Sequence, residues 1–150
     1  MNKKTYNHVS LFSGAGGPDI GLEQAGFKTI WANDVNYDAC ETYRRWSNAK
    51  VLEGDIRKVD FETIPDCDLA SFGFPCQGFS HSGPRKIDDG RNGLYHYCVK
   101  LVEEKRPKVF LAENVKGLLT LGKGMVKNAI IRDFEDKGYD VSVNLVNAAD

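Results

Sequence analysis

The feature that most constrains the fold of this 150-residue chain is a regular alternation of strand-like and helix-like segments. A short apolar segment, "HVSLF", predicts a buried first strand, and Pro18 favours the first turn of a helix that ends near Gly26. Repetition of this pattern predicts an α/β fold with an open, mostly parallel sheet and helices on both of its faces. Four more strands are predicted at "KTIWAND", "KVLEGD", "DLASFGF" and "KVFLAEN".

Helices are predicted where apolar residues recur at helical spacing. Asn36 is a candidate N-cap for the second helix, and "DVSVNLVNA" alternates apolar with polar residues, which predicts a sixth strand at an edge of the sheet. The apolar faces of the second, third and fourth helices are predicted to carry Tyr37, Cys40 and Tyr43, then Leu94, Cys98, Leu101 and Val102, then Met125, Ile130 and Phe134.

The composition argues against several classes of protein. The net charge is −1, so the chain lacks the overall basic field that many nucleic-acid-binding proteins carry. No apolar stretch reaches the roughly 18 residues that a membrane-spanning helix needs, and the N-terminus lacks the apolar core of a signal peptide. The four cysteines form no C-x-x-C pair, which favours a reducing, cytoplasmic setting over a disulfide framework or a metal site.

Chemically capable residues recur where the predicted strands end. In an open parallel sheet, ligands bind beyond the carboxyl ends of the strands. This coincidence predicts a binding or catalytic site along that edge of the sheet. The groups at the five strand ends are the glycine turn 12–17, Asp34, Asp55, Pro75 with Cys76, and Glu113 with Asn114.

The glycine turn, "FSGAGG", suits a nucleotide-like ligand. Glycines let a ligand approach the backbone amides, and the N-terminus of the following helix favours negative charge. Asp34 follows about 20 residues later, where an acid can bind ribose hydroxyls, and Asp55 can accept a hydrogen bond from an adenine amino group. The turn departs from G-x-G-x-x-G because Asp19 occupies the last glycine position, so an ordinary tight turn is the alternative.

Cys76 is the candidate nucleophile. Pro75 stiffens the chain before it and the residues after it cannot continue a central strand, so its thiol is expected to project toward the ligand. A nucleophilic role needs local activation, because a free thiol has a pKa of about 8.5. Glu113 follows four apolar residues, which predicts a shielded acid that serves as a proton donor or as a structural group. The other cysteines are predicted to be small buried hydrophobes and two histidines to be bystanders: Cys40, Cys67, Cys98, His81 and His96.

Three of these segments, "FSGAGG", "GFPCQGFS" and "AENVKG", follow the order of the cofactor, nucleophile and acid motifs of the C5-cytosine-specific DNA methyltransferases. The chain resembles that family from Leu11 to Asp150, and "GDI" and "DDGRNGLY" resemble its adenine-binding turn and the end of its catalytic loop. The resemblance implies a Rossmann-like, S-adenosylmethionine-dependent methyltransferase fold. Residues 1–150 would be its cofactor-binding and catalytic part.

The resemblance also implies a role for each motif residue. Cys76 would add to C6 of a cytosine flipped out of DNA, while Glu113 protonates or hydrogen-bonds N3. Gln77 and Asn114 would belong to the same catalytic group. The S-adenosylmethionine contacts would be Phe12, Gly14, Gly16, Gly17, Asp34, Val35, Asp55, Ile56, Pro75 and Leu94. The loop 77–93 would close over the base, with DNA contacts at Ser80, Arg85 and Arg91.

The resemblance is to the N-terminal part of the family. The family's arginine motif, target-recognition domain and closing helix are absent up to Asp150, so the fold is expected to be C-terminally incomplete. The expected partners are cytosine-containing duplex DNA and a complementary C-terminal segment or subunit, with self-association through the exposed last strand. In a bacterial host the protein would associate with the nucleoid. The alternatives are a non-catalytic S-adenosylmethionine-binding module, a tRNA cytosine C5-methyltransferase and a nicotinamide-dependent oxidoreductase.

Overall fold

The computed structural model describes residues 5–75 and 93–147, and the strands within these ranges form one parallel sheet. The strands are β1 (Tyr6–Leu11), β2 (Phe27–Asp34), β3 (Lys50–Glu53), β4 (Leu69–Phe72) and β5 (Val109–Ala112). The α-helices are α1 (Gly17–Gln24), α2 (Tyr37–Trp46), α3 (Tyr95–Lys105) and α4 (Met125–Glu135). The strand order is β3-β2-β1-β4-β5.

The direction of winding reverses at β1. The chain moves outward from β1 to β2 and β3, then returns to β4 on the other side of β1 and continues to β5. In doubly wound sheets a ligand crevice opens at such a reversal, beyond the carboxyl ends of the diverging strands. Here the strands beside the reversal are β1 and β4, which pair from His8 with Leu69 to Leu11 with Phe72.

The two faces of the sheet differ in polarity. Val9 and Leu11 of β1, with Ala70 and Phe72 of β4, contribute to the main hydrophobic core together with α3 and α4. Phe134 of α4 stacks over this face, with its ring centroid 6.2 Å from that of Phe72. Because side chains alternate along a strand, the intervening residues point to the opposite face, toward α1 and α2. Three of these residues, beside the apolar Leu69, are polar and buried: His8, Ser10 and Ser71.

The helix starts follow the sequence signals. Pro18 lies in the first turn of α1, as predicted. Asn36 caps α2, since its side-chain oxygen accepts a hydrogen bond from the backbone N–H of Ala39 at 2.9 Å. The longest described helices, α3 and α4, have 11 residues each, and no helix within residues 5–75 and 93–147 is long and apolar enough to cross a membrane.

Two expectations about elements are wrong. Residues 140–147 do not form the predicted sixth strand, and Val143 and Leu145 are exposed. Alternation of apolar and polar residues is not sufficient for a strand, because a strand also needs a neighbour, and this segment pairs with no described strand. Tyr37 is predicted to share the apolar face of α2 with Cys40 and Tyr43, but it is 61% exposed whereas the other two are buried. Tyr37 is the first residue of α2, directly after the N-cap Asn36.

Candidate functional site

A cleft lies at the carboxyl ends of β1, β4 and β5, beside the start of α1. It brings together two of the predicted groups, the glycine turn and Glu113 at the end of β5, with Gly73 at the end of β4 between them. The residues that line it are Ser10, Phe12, Ser13, Pro18, Asp19, Ser71, Phe72, Gly73, Leu111 and Glu113.

The glycine turn between β1 and α1 has a left-handed backbone at Gly14 and Gly16. Gly16 has no room for a side chain, because an added Cβ would lie 2.7 Å from Cε2 of Tyr43 and would also overlap Trp46. An added Cβ at Gly14 or Gly17 would meet no atom within 4 Å. The turn is therefore packed tightly on one side at Gly16 and is open at the other two positions.

Phe12 connects β1 to the glycine turn with a φ of 56°, a left-handed conformation that costs a side-chain-bearing residue about 1–2 kcal/mol. Its carbonyl lies against Gly73 at the end of β4, where an added Cβ would be 2.8 Å from the Phe12 oxygen. The close approach of these two backbone segments requires glycine at position 73. It brings the ends of β1 and β4 together at the cleft.

Asp34 ends β2 and holds the glycine turn. Its Oδ2 accepts a hydrogen bond from the backbone N–H of Gly14, and its Oδ1 accepts one from the N–H of Asn36, both at 2.8 Å. Because a carboxylate offers about four acceptor positions, it can still accept from a ligand hydroxyl. The adjacent Val35 is 72% exposed. The residue predicted to hold a ribose is thus also the residue that positions the turn.

Asp55 follows β3 and is paired with Arg57. Its carboxylate accepts from Nε of Arg57 at 2.9 Å and from Nη2 at 2.5 Å, and Oδ1 also accepts from the backbone N–H of Arg57. These hydrogen bonds lower the pKa of Asp55 to about 2. The neighbouring Ile56 is buried in the core. A ligand amino group at Asp55 would therefore share an ionised acceptor with Arg57.

The ends of β4 and β5 are joined by two hydrogen bonds. The backbone N–H of Glu113 donates to the carbonyl of Phe72 at 2.8 Å. Beyond it, Nδ2 of Asn114 donates to the carbonyl of Phe74 at 2.7 Å. The two strand ends that carry the predicted nucleophile and acid motifs are therefore held side by side.

The side chain of Glu113 is exposed, whereas its position after an apolar strand predicted a shielded acid. The physical reason is that β5 is the outer strand of the described sheet, so Val109 and Leu111 are also 48% and 46% exposed. Pro75 is exposed and Leu94 is half-buried against the core. The predicted residues Cys76, Gln77, Ser80, Arg85 and Arg91 lie outside the described residues.

Three further cysteines fit the prediction that they are not nucleophiles. Cys40 and Cys98 are buried, Cys67 is half-buried, and all three are free thiols. Burial raises the pKa of each, that of Cys67 to about 12. His96 lies in the first turn of α3 and not at a strand end, and burial lowers its pKa. His81 lies outside the described residues.

A buried polar cluster beneath the glycine turn was not predicted. Its centre is Asp19, which is 2% exposed and is hydrogen-bonded to Tyr43 and Ser71. A signal was present in the sequence, because His8 and Ser10 alternate with apolar residues in a buried strand. Polar side chains at such positions need buried hydrogen-bond partners.

The fold and the strand-end cleft together define a Rossmann-like methyltransferase domain. A protein described as a DNA modification methyltransferase encoded within an Escherichia coli prophage matches this structure with a TM-score of 0.68 at 27% identity, over 87% of this chain and 38% of that one. The Dnmt2 methyltransferase of Schizosaccharomyces pombe matches with a TM-score of 0.65 at 25% identity, over 85% of this chain and 42% of that one.

Within that class, the chain belongs to the C-5 cytosine-specific DNA methylase family, whose model matches residues 6–150. The Type II methyltransferase M.NgoFVII of Neisseria gonorrhoeae is 48% identical over 145 residues, which cover 95% of this chain and 39% of that protein. The Type II methyltransferase M.BsuRI of Bacillus subtilis is 42% identical in an alignment of 174 positions, which covers 96% of this chain and 39% of that protein. The chain thus spans about two-fifths of the length of these curated relatives. Family membership confirms the resemblance carried by the three motifs and gives no support to a nicotinamide-dependent oxidoreductase.

Proposed function

We propose that this chain supplies the S-adenosylmethionine-binding and catalytic part of a DNA cytosine-C5 methyltransferase. The described residues fit the cofactor, because Gly14 and Gly17 leave open space at the start of α1 and Asp34 keeps acceptor positions beside them. The positive end of α1 favours the carboxylate of such a ligand. When bound, S-adenosylmethionine would supply an activated methyl group.

The proposed chemistry uses side chains from the ends of β4 and β5. The thiolate of Cys76 would bond to C6 of a cytosine flipped out of the duplex, and the electrons of the C5–C6 double bond would then make C5 nucleophilic. Glu113 would donate a proton or a hydrogen bond to N3, which offsets the negative charge that the addition places on the ring. Once C5 carries the methyl group, loss of the C5 proton restores the double bond and expels the Cys76 thiolate.

The hydrogen bond between Asn114 and Phe74 is the observation that carries this proposal. Asn114 directly follows Glu113, so the anchored carbonyl of Phe74 is adjacent to the proposed acid. In the sequence, the proposed nucleophile Cys76 follows two residues after Phe74. The hydrogen bond supports the proposal because it joins the described end of the segment that leads to the proposed nucleophile to the segment that carries the proposed acid.

We further propose that the chain acts on duplex DNA together with a polypeptide segment that completes the sheet. Val109 and Leu111 of the outer strand β5 are 48% and 46% exposed, and no described strand pairs with its outer edge. An exposed apolar edge favours pairing with another strand. The chain also spans about two-fifths of the length of its relatives. Self-association, predicted through the sixth strand, is the competing outcome, and here it would use the β5 edge because residues 141–147 form no strand.

The test traps the covalent intermediate on a DNA duplex that carries 5-fluorocytosine in place of every cytosine. In 5-fluorocytosine, C5 carries fluorine in place of the hydrogen that is normally lost as a proton. The step that releases the Cys76 thiolate is therefore blocked, and the protein stays attached to the DNA. The chain is incubated with S-adenosylmethionine and the C-terminal part of M.NgoFVII, supplied as a separate polypeptide. We expect an adduct with the unmodified chain and with the control variant Cys67→Ser, and none with Cys76→Ser.

Two other results would contradict the proposed function and favour a different one. Saturable cofactor binding with no adduct would support a non-catalytic module. An adduct on a tRNA that carries 5-fluorocytosine, with none on the duplex, would support an RNA-directed enzyme. The variant Glu113→Gln is expected to slow adduct formation by about 100-fold or more, as for loss of a general acid.

A further inference from the structure

A buried carboxylate lies directly beneath the glycine turn. Asp19 is the third residue of α1 and is 2% exposed. Its Oδ2 accepts a hydrogen bond from the hydroxyl of Tyr43 at 2.7 Å, and its Oδ1 accepts one from the hydroxyl of Ser71 at 3.1 Å. Since Tyr43 belongs to α2 and Ser71 to β4, this one side chain joins two helices to the centre of the sheet.

The cluster continues across the sheet through His8. Nε2 of His8 lies 2.8 Å from the Ser71 hydroxyl, and Nδ1 lies 2.9 Å from the Thr29 hydroxyl. If Ser71 donates to Asp19, it accepts from the Nε2–H of His8, and Thr29 donates to Nδ1, so that each of these donors has an acceptor. Burial lowers the pKa of His8, which is consistent with the neutral ring that this arrangement requires.

Two aromatic rings connect the cluster to the glycine turn. Tyr43 and Trp46 fill the space beside Gly16, with their ring centroids 4.5 Å apart. Nε1 of Trp46 donates to the carbonyl of Ala15 at 2.9 Å. The glycine turn is therefore connected to Asp19 in two ways. Asp19 lies in α1, which directly follows the turn, and it is hydrogen-bonded to Tyr43, whose ring packs beside Gly16. Loss of the carboxylate would loosen both the first turn of α1 and the ring beneath Gly16.

We propose that Asp19 is a second positioning residue of the glycine turn, in addition to Asp34. From beneath α1 it fixes the amides of residues 14–17 in the orientation that the cofactor meets, and it acts through the turn instead of as a cofactor ligand. An exposed acid at the same helical position would only interact with the helix dipole. This role rests on the proposed function, because it requires that the glycine turn bind the cofactor.

Amide hydrogen exchange in the chain without cofactor tests the role of Asp19 directly. The variant Asp19→Asn loses one of two accepting oxygens, and Tyr43→Phe keeps the ring but loses the donor. We expect both to speed exchange at Gly14 and Gly16 by about tenfold, the change that loss of one buried hydrogen bond produces. The amide of Gly14 donates to the carboxylate of Asp34, and the amide of Gly16 donates to the carbonyl of Ser13.

The matched control is Tyr95→Phe. It removes a tyrosine hydroxyl that donates to the carboxylate of Asp133 at 2.7 Å, the same chemistry and length, but between α3 and α4 on the other face of the sheet. Exchange at Gly14 and Gly16 should then stay within about twofold of that of the unmodified chain. Equal acceleration in all three variants, or none in Asp19→Asn, would overturn the proposal.

Cofactor affinity provides a second readout. For Asp19→Asn we expect the dissociation constant of S-adenosylmethionine to rise about tenfold. For Tyr95→Phe we expect that constant to stay unchanged, even if the variant loses as much thermal stability as Asp19→Asn does. An unmodified chain that binds no cofactor would contradict the proposed function, whereas the exchange rates alone would still decide the role of Asp19.

Discussion

At the scale of single residues, Gly16 is constrained both by its backbone and by its neighbours. Its φ is +91°, and Tyr43 and Trp46 occupy the space that a Cβ would need. We expect Gly16→Ala to lower the free energy of unfolding by about 2–4 kcal/mol, through left-handed strain and overpacking. Urea unfolding followed by circular dichroism measures this change.

Gly21 provides the control for that substitution. It lies inside α1 with open space around an added Cβ and a φ outside the left-handed region. Gly21→Ala should therefore raise stability by about 0.5–1 kcal/mol, because alanine is the better helix former. Equal losses in both variants would show that the crowding at Gly16 is not what matters.

A second residue-scale prediction concerns Asp55. Its pKa is lowered to about 2 chiefly by the Arg57 side chain, so the pairing stabilises the fold above pH 3.8 and the contribution is lost as the pH falls through 2. Arg57→Ala should return the pKa of Asp55 toward 3.8, measured by carbon-13 NMR of the carboxyl group. Arg44→Ala, which removes an exposed arginine elsewhere, should leave that pKa in place. An unchanged value in Arg57→Ala would mean that another group stabilises the carboxylate.

The strand-end residues could be predicted from sequence because each follows an apolar segment directly. Asp34 and Glu113 needed only the strand boundaries to be placed at one edge of the sheet. The burial of Asp19 could not be predicted in this way, since an acid in the first turn of a helix is ordinarily exposed. Its partners Tyr43 and Ser71 come from distant parts of the chain, and no local pattern specifies that contact.

At the scale of elements, Asn36 sets the start of α2. Its side chain accepts from Ala39 N–H, one of the four amides that a helix start leaves without a partner in the helix. Asn36→Ala should cost about 1 kcal/mol in the free energy of unfolding, whereas Asn36→Asp keeps an accepting oxygen and should cost little. Thermal unfolding by calorimetry distinguishes the two, and equal losses would contradict the capping role.

The elements themselves were largely predictable, and two of the wrong expectations, the sixth strand and a shielded Glu113, share one cause. The five strands and four helices depend on local periodicity and on helix-start signals such as Pro18 and Asn36. The sixth strand depends on a neighbouring strand, and the exposure of Glu113 depends on β5 being outermost in the described sheet. Both are properties of the assembled sheet, which alternation within one segment does not encode.

At the scale of the whole molecule, the buried imidazole of His8 couples stability to pH. Burial lowers its pKa below 6.5, against the opposing charges of Asp19 and Glu23, so the unfolded chain binds the proton more readily. The neutral His8 ring therefore makes its full contribution to the stability of the fold above pH 6.5. The free energy of unfolding decreases as the pH falls below that value. His96, also lowered by burial, adds to the same trend.

Urea unfolding between pH 5.5 and 7.5 should show this loss toward acid. The slope should be shallower in His8→Gln and in His96→Gln than in the unmodified chain. Asp55 does not contribute in this range, because it titrates near pH 2. A flat profile in the unmodified chain would contradict the assignment of a neutral, buried His8.

Binding of S-adenosylmethionine at the carboxyl edge of the sheet is the property on which the proposed function of the whole molecule depends. Isothermal titration calorimetry of the chain with S-adenosylmethionine and, separately, with NAD tests this most directly. We predict saturable binding of S-adenosylmethionine, a dissociation constant at least about tenfold higher in Asp34→Asn, and no heat with NAD. Binding of NAD without S-adenosylmethionine, or an affinity for S-adenosylmethionine that Asp34→Asn leaves unchanged, would contradict the account.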